Sequence, residues 1–314
     1  MRKPHSYSSL FSTSLSPDED CTGPDYEDCN INTPHLTPSS LASFTSCTVS
    51  SLTSKSNGGA VYLHDTSSSP GTALTVIDCT FTSCVAAVSS PGRNGGGAIY
   101  IDSGALSVTS SVFIACKSSF FGGGVLAQND CSSSAVSHST FISCRAVYGG
   151  GLMTYCGPIS EIISSRCISC TGSIAGGGLY HDSTDISSAK STSNCLFFSN
   201  SAENSTDTCA TRGGGAFEDF HSQAYSSSYF FSFFHRNKAH YSYGHDLSSQ
   251  GSPVPIDHIQ QCFTTTAIHS FWNSQSDGFV NWLPLTHIHF DLSQHTHTHN
   301  NPENSHKHLP CKSH

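Results

Sequence analysis

Charge is scarce in this chain: 11% of its 314 residues are Asp, Glu, Lys or Arg, and the formal net charge is -9. With 13 basic residues against 22 acidic ones, no basic patch is available to neutralise phosphates, so nucleic acid is not an expected partner. No run of about 18 apolar residues exists, and no membrane-spanning helix is expected. After Met1-Arg2-Lys3 the chain reads Pro4-His5-Ser6-Tyr7-Ser8-Ser9, where a secretory signal needs an apolar stretch of about 7 to 15 residues. Either the protein is not secreted by that route or the chain is a piece of a longer one. Amphipathic stripes with a 3.6-residue period are missing as well. The 15 cysteines are an odd number, which excludes complete disulfide pairing within the chain.

Against these absences stands a recurrence. Two or three glycines followed by an apolar residue occur at Gly58-Gly59-Ala60, Gly96-Gly97-Ala98, Gly123-Gly124-Val125, Gly150-Gly151-Leu152, Gly177-Gly178-Leu179 and Gly214-Gly215-Ala216. A Phe-x-x-Cys pattern precedes most of them. Aligned on Phe, the units give Phe44, Phe81, Phe113, Phe141, Cys167 as a substitute, Phe197 and Phe234. Three places later stand Cys47, Cys84, Cys116, Cys144, Cys170, Asn200 and Asn237. Five places before the Phe run Val76, Val108, Val136, Ile162, Thr192 and Tyr229. A further column two places after each glycine pair holds Val61, Ile99, Leu126, Met153, Tyr180 and Phe217.

Short β-branched or aromatic segments punctuated by Gly, Ser and Asn are strand-and-turn chemistry. The central glycine pairs recur about every 27 residues, enough for a circuit of three short strands with their turns. The expected fold is all-β, a right-handed parallel β-helix of about seven coils. Phe81, Phe113 and Phe141 should form an interior ladder, and the glycines the corners, where positive φ is cheap for glycine. The larger column ending in Tyr180 and Phe217 is expected inside, with Ala60, Ala98 and Ala216 at the corner. The thiols of Cys84, Cys116, Cys144 and Cys170 are expected to pack as small buried groups. Their Cβ spacing of about 4.8 Å along parallel strands exceeds the roughly 3.8 Å of a relaxed disulfide. Cys167-x-x-Cys170 has the look of a redox or zinc half-site, but no second pair follows and the repeat accounts for both residues.

The Phe-x-x-Asn and Gly-Gly-Ala-Ile pairing resembles the repeat of the chlamydial polymorphic outer-membrane autotransporters, from about residue 41 to 250. Phe81-Thr82-Ser83-Cys84 with Gly96-Gly97-Ala98-Ile99, and Phe234-His235-Arg236-Asn237 with Gly244-His245-Asp246-Leu247, carry it most closely. Cysteine in the asparagine column is similar to β-helix-repeat families of anaerobic protists, and both groups are similar in fold to the pectin-lyase-like superfamily. The resemblance implies a secreted or cell-surface role in adhesion. The dozen alternating strands of an autotransporter barrel are not supplied after residue 251.

Enzymes of pectin-lyase type need clustered carboxylates with Arg or Lys for an acidic polysaccharide. Here the acids are scattered, and His181 with Asp182 and Asp185, or Glu218-Asp219, are the local groupings. No catalytic, cofactor or metal residue is assigned. The leading expectation is a non-catalytic scaffold that binds glycans or surface proteins at a cell surface or outside the cell. The alternatives are a polysaccharide lyase or hydrolase, and a truncated, non-functional copy from an expanded family.

The organisation reads as an acidic Ser/Pro-rich disordered lead-in over 1–40, repeats over 41–250, a cap over 251–285 and a His-rich tail over 286–314. Alternating histidines in that tail, among them His295, His297 and His299, leave two readings open: metal chelation, and a low-complexity tail of adventitious affinity. Asn204-Ser205-Thr206 is a single glycosylation sequon.

Overall fold

In a computed structural model the chain is a parallel β-solenoid. The described residues are 25–27, 30–31, 42–63, 73–89, 95–155, 159–183, 189–203, 211, 213–220, 226–230, 232–239, 247–250, 259–260, 263–264 and 271–273. Every strand pairing is parallel, and the strands lie in three sheets. A long sheet of 15 strands contains Ile99–Thr109 and Val125–Ser137, a second has nine, including Thr80–Thr82, Val112–Ile114 and Thr140–Ile142, and a third has seven, including Lys117–Ser118 and Arg145–Tyr148. Seven coils were expected; the body described nearly without a break, from Gly95 to Glu203, comprises about 4. Further strands extend the sheets at both ends. Asp25–Glu27 stacks on Ser43 to Thr45, and Phe263–Thr264 stacks on Phe233 and Phe234. No helix occurs among the described residues, and none there is long and apolar enough to cross a membrane. The remaining parts of 1–40 and 251–285, and all of 286–314, lie outside the described residues, as does the sequon.

Strand register confirms one column and corrects two others. Val76, Val108, Val136, Ile162, Thr192 and Tyr229 pair in succession. Phe44, however, pairs with Val76, and it is Val49 that pairs with Phe81. The Phe44-x-x-Cys47 segment therefore belongs to the preceding face, and Leu52, not Cys47, stands below Cys84. The glycine alignment slips by one residue: Ile99 pairs with Val61 and with Val125, so Gly96 matches Gly122 and Gly97 matches Gly123. The motif has three positions, the last filled by Ala60, Ala98, Gly124, Gly151, Gly178 and Gly215.

The three corners explain which positions need glycine. At two of them the left-handed residue is a side-chain-bearing one. Ser46, Asp78, Ser110, His138, Ser164 and Asn194 have φ of 50 to 54°, and Ser51, Ser83, Ala115, Ser143, Ser169, Ser199 and Arg236 have φ of 52 to 57°. Each such residue costs roughly 1–2 kcal/mol, which a corner with an outward-pointing side chain tolerates. At the third corner Gly58, Gly96, Gly122, Gly149, Gly176 and Gly213 adopt φ of 57 to 69°. Here a Cβ on Gly96 would lie 2.2 Å from the Ile99 carbonyl oxygen, and one on Gly97 would lie 1.8 Å from that of Gly123. Close backbone approach, rather than positive φ alone, reserves this corner for glycine.

The interior carries the aromatic ladder. Phe81 and Phe113 stack with centroids 5.1 Å apart, Phe113 and Phe141 at 4.8 Å, and Phe197 and Phe234 at 4.7 Å. Cys167 interrupts it, pairing with Phe141 on one side and Phe197 on the other. A cavity of about 10 Å³ remains there, bordered by Phe141, Leu152, Ile162, Cys167, Cys195 and Phe197. Two hydrogen-bonded columns line the corners. In one, each hydroxyl serves the coil before it: Ser111 Oγ accepts from Cys79 N at 3.1 Å, Ser139 Oγ from Ser111 N at 3.2 Å, and Ser165 Oγ from Ser139 N at 3.2 Å. The other is the Cys-to-Asn column. Cys170 Sγ donates to Phe141 O at 3.5 Å, and one coil later Asn200 Nδ2 donates to Cys167 O at 2.9 Å. Thiol and amide thus make the same inter-coil bond, which is why they exchange in one column. All nine described cysteines are buried free thiols.

Candidate functional site

The chief candidate is an aromatic stripe on the outer face of the long sheet. Along Ile99–Thr109 the side chains alternate, so Ile99 and Ile101 join the interior core while Tyr100 joins a separate cluster. Its in-register partners are Tyr62, Leu126, Met153, Tyr180 and Phe217. The larger column expected inside is therefore outside for these residues. The interior position beside it is taken by Val61, Ile99, Val125, Leu152, Leu179 and Ala216.

What buries the stripe is the chain entering the glycine corner. Phe121, Tyr148, Ile174 and Ala175 pack back over it. Phe121 and Tyr148 are bridged in parallel and stack at 5.3 Å, Tyr148 meets Tyr180 edge-on at 5.4 Å, and Tyr180 lies 5.2 Å from Phe217. At the other end Tyr62 and Tyr100 are tilted with centroids 5.1 Å apart. Tyr62, Phe121, Tyr148 and Ile174 remain half-buried and form the accessible edge. Polar groups border it. Gln128 Nε2 donates to Tyr100 Oη at 2.7 Å. Burial, reinforced by the negative charge of Asp102, raises the Tyr100 hydroxyl well above its ordinary range, and the same two causes raise Tyr62 against an opposing hydrogen bond from Asn57. Both phenols stay neutral donors at physiological pH.

The acidic groupings singled out in sequence meet a different fate. His181 pairs with Glu218 and Asp182 with Asp219, which places the two groupings on adjacent coils. His181 is 0% exposed and Lys190 is 2% exposed. They share the interior with Thr154, Ser160 and Thr192, and Lys190 Nζ donates to the carbonyls of Thr154 and Asp182. His181 and Lys190, enclosed in this way, present no surface on which a polymer could lie, while Asp182 is half-buried. Asp185 lies outside the described residues. Among the described residues no group of three or more His, Cys, Asp or Glu converges on a metal position.

The glycines, Phe81, Phe113 and Phe141, and the thiols of Cys84, Cys116, Cys144 and Cys170 all sit in the frame. The stripe itself was missed as a site. Alternation around Ile99-Tyr100-Ile101 was the available signal, with Phe120-Phe121 and Val147-Tyr148 just before the glycines as its second half. No family model, no curated protein and no solved structure matches the chain.

Proposed function

We propose that the protein is a non-catalytic β-helix scaffold that holds glycans or surface proteins along its outer faces, at a cell surface or outside the cell. The observation that supports this reading is the aromatic edge of Tyr62, Phe121 and Tyr148 on a rigid frame, with the half-buried Asn57 and Asp102 beside it. Aromatic rings offer flat apolar platforms to the C–H face of a sugar, and neighbouring amides and carboxylates satisfy its hydroxyls. Rungs about 4.8 Å apart repeat the contact, so weak single contacts add up along a chain ligand. The enclosure of His181 and Lys190 is what ranks this reading above a lyase or hydrolase.

The test is to pass the full chain over a glycan array and incubate it with a panel of acidic and neutral polysaccharides. Retention by at least one glycan is expected, lost in Phe121→Ser and Tyr148→Ser, with no release of reducing ends or unsaturated products. Product release would establish an enzyme instead. Absence of binding to every glycan and to cell-surface protein preparations would leave a spacer.

A further inference from the structure

The few charges of this chain are sorted by sheet. Strands of the long sheet carry eight acids and a single base, the buried Lys190, whereas those of the second and third sheets carry Arg166, Lys117, Arg145 and Lys238 and no acid. A chain of net charge -9 thus has one basic side, gathered by the fold from bases that are scattered in sequence. All four side chains are exposed, and the exposed Arg236 joins them from the corner before Lys238. Lys117 pairs in register with Arg145. Like charges directly opposite one another weaken a sheet, and no acid in either sheet offsets this pair. An anion lying against the rungs would relieve it.

Between the cations lies an aliphatic strip. Ile114, Ile142, Ile168 and Phe198 form an in-register column on the outer side of the second sheet, half-buried, while Phe113, Phe141 and Phe197 fill the interior. Arg166 flanks this column on one side, in the row of Val112, Thr140 and Leu196, and Lys117 and Arg145 flank it on the other, across the corner. Branched aliphatic side chains give a sugar no flat ring, unlike the stripe of Tyr62, Phe121 and Tyr148. Nor can a peptide add here as an extra strand, because the main-chain groups of each rung already bond to the coils on either side. An apolar strip bordered by Lys and Arg on a straight, ungrooved face fits a lamellar anionic surface. We propose that this side of the solenoid docks on an anionic lipid surface, with the isoleucine column against the boundary of headgroup and acyl chain and the cations on headgroup phosphates and carboxylates. The acids of the long sheet lie on another side, so the net negative charge orients the molecule on the lipid without preventing contact. The contact is peripheral and needs no spanning segment.

The full chain is sedimented with phosphatidylcholine vesicles, with and without phosphatidylserine. Binding is expected to the mixed vesicles alone and to fall with added salt, which screens the cations. Each base near such a surface is worth about fivefold in partitioning, so Arg145→Ser with Arg166→Ser should bind roughly 30-fold more weakly. Ile142→Ser with Ile168→Ser should also weaken binding, by a factor that salt does not change. Circular dichroism checks the β content of each variant, and the exposed pair Lys117→Ser with Arg145→Ser replaces either one that does not fold. Equal binding to both kinds of vesicle, or none to either, overturns the proposal. So does mixed-vesicle binding that the arginine pair leaves unchanged, and so does retention on heparin without vesicle binding, which would mark a site for soluble polyanions. Glycan retention depends on another side of the molecule and is measured separately, so its absence would leave this result standing.

Discussion

Early and late coils fill the same interior positions with opposite chemistry. Leu63 and Ile101 hold the place that Thr154 and His181 hold later, and Leu74 and Leu106 give way to Ser134, Ser160 and Lys190. Val76 and Val108 are followed, after Val136 and Ile162, by Thr192. The aromatic ladder follows the same division: three stacked rings at Phe81, Phe113 and Phe141, then Cys167 with its cavity, then Phe197 and Phe234. Backbone hydrogen bonding continues unchanged through both regions. In a solenoid the ladder of main-chain bonds and glycine corners sets the frame, so a coil tolerates a polar interior, even with the buried Thr192 hydroxyl lacking a hydrogen-bond partner.

Moving the late chemistry into the early coils tests this most severely. Leu74→Lys puts a cation between the apolar Ala42 and Leu106, and a loss above about 4 kcal/mol, seen as failure to fold or a collapsed denaturation midpoint, is expected. An effect under about 1 kcal/mol would show the early coils to be as accommodating as those around Lys190. Next in size is the ladder. Phe113→Ala, between two rings, should cost about 4 kcal/mol in urea unfolding, and Phe197→Ala, beside the gap left by Cys167, nearer 3 kcal/mol. Equal costs would mean the interruption has no energetic consequence.

Early and late coils alike should carry an alkaline liability, since the thiols of Cys79, Cys84 and Cys144 are raised as well as that of Cys195. Burial pushes the Cys195 thiol up to about 12. Raised above its unfolded value near 9, it contributes stability that is full below pH 9 and is lost as pH rises through 12. At pH 10 the loss from Cys195 amounts to about 1.4 kcal/mol, and Cys195→Ser, the residue that Ser165 and Ser232 place in the same column, should remove that share of the alkaline loss. The smallest expected change is a gain. Cys167→Phe fills the cavity and joins the two ladder segments, and should raise the unfolding midpoint by the equivalent of about 1 kcal/mol.

Repetition made the frame legible in sequence. The Phe81-Phe113-Phe141 column and the Val76-Val108-Val136 column each survive as in-register neighbours because every coil must present the same residue at the same depth. Two errors of register came from treating the motif as a fixed string. Phe44-x-x-Cys47 imitates Phe81-x-x-Cys84 one face too early, since both inner corners use the same solution, a left-handed polar residue followed by a small donor. The slip at Gly122-Gly123-Gly124 arose because Ala60 and Ala98 mask the third glycine position. Burial misled in a different way. Tyr100 and Tyr180 are nearly as buried as the ladder, at 2% and 5% exposure, yet they lie on the opposite side of the sheet. Hydrophobicity identifies residues that avoid water without stating which layer hides them, and the covering residues, Phe121 and Tyr148, come from the neighbouring corner.

The second glycine of each corner sits where the carbonyl of the following coil's glycine fills the space a Cβ would need, from Gly59 and Gly97 through Gly123 and Gly150 to Gly177, which meets the carbonyl of Gly214. Each coil's freedom to vary there is thus held by the coil after it. The array behaves as a toothed rack: a deletion or duplication that spans one whole circuit re-engages the teeth, and one of any other length leaves a carbonyl facing a side chain. Shortened or extended versions of this chain are therefore to be cut from glycine corner to glycine corner, with the length of the molecule changing only in whole rungs.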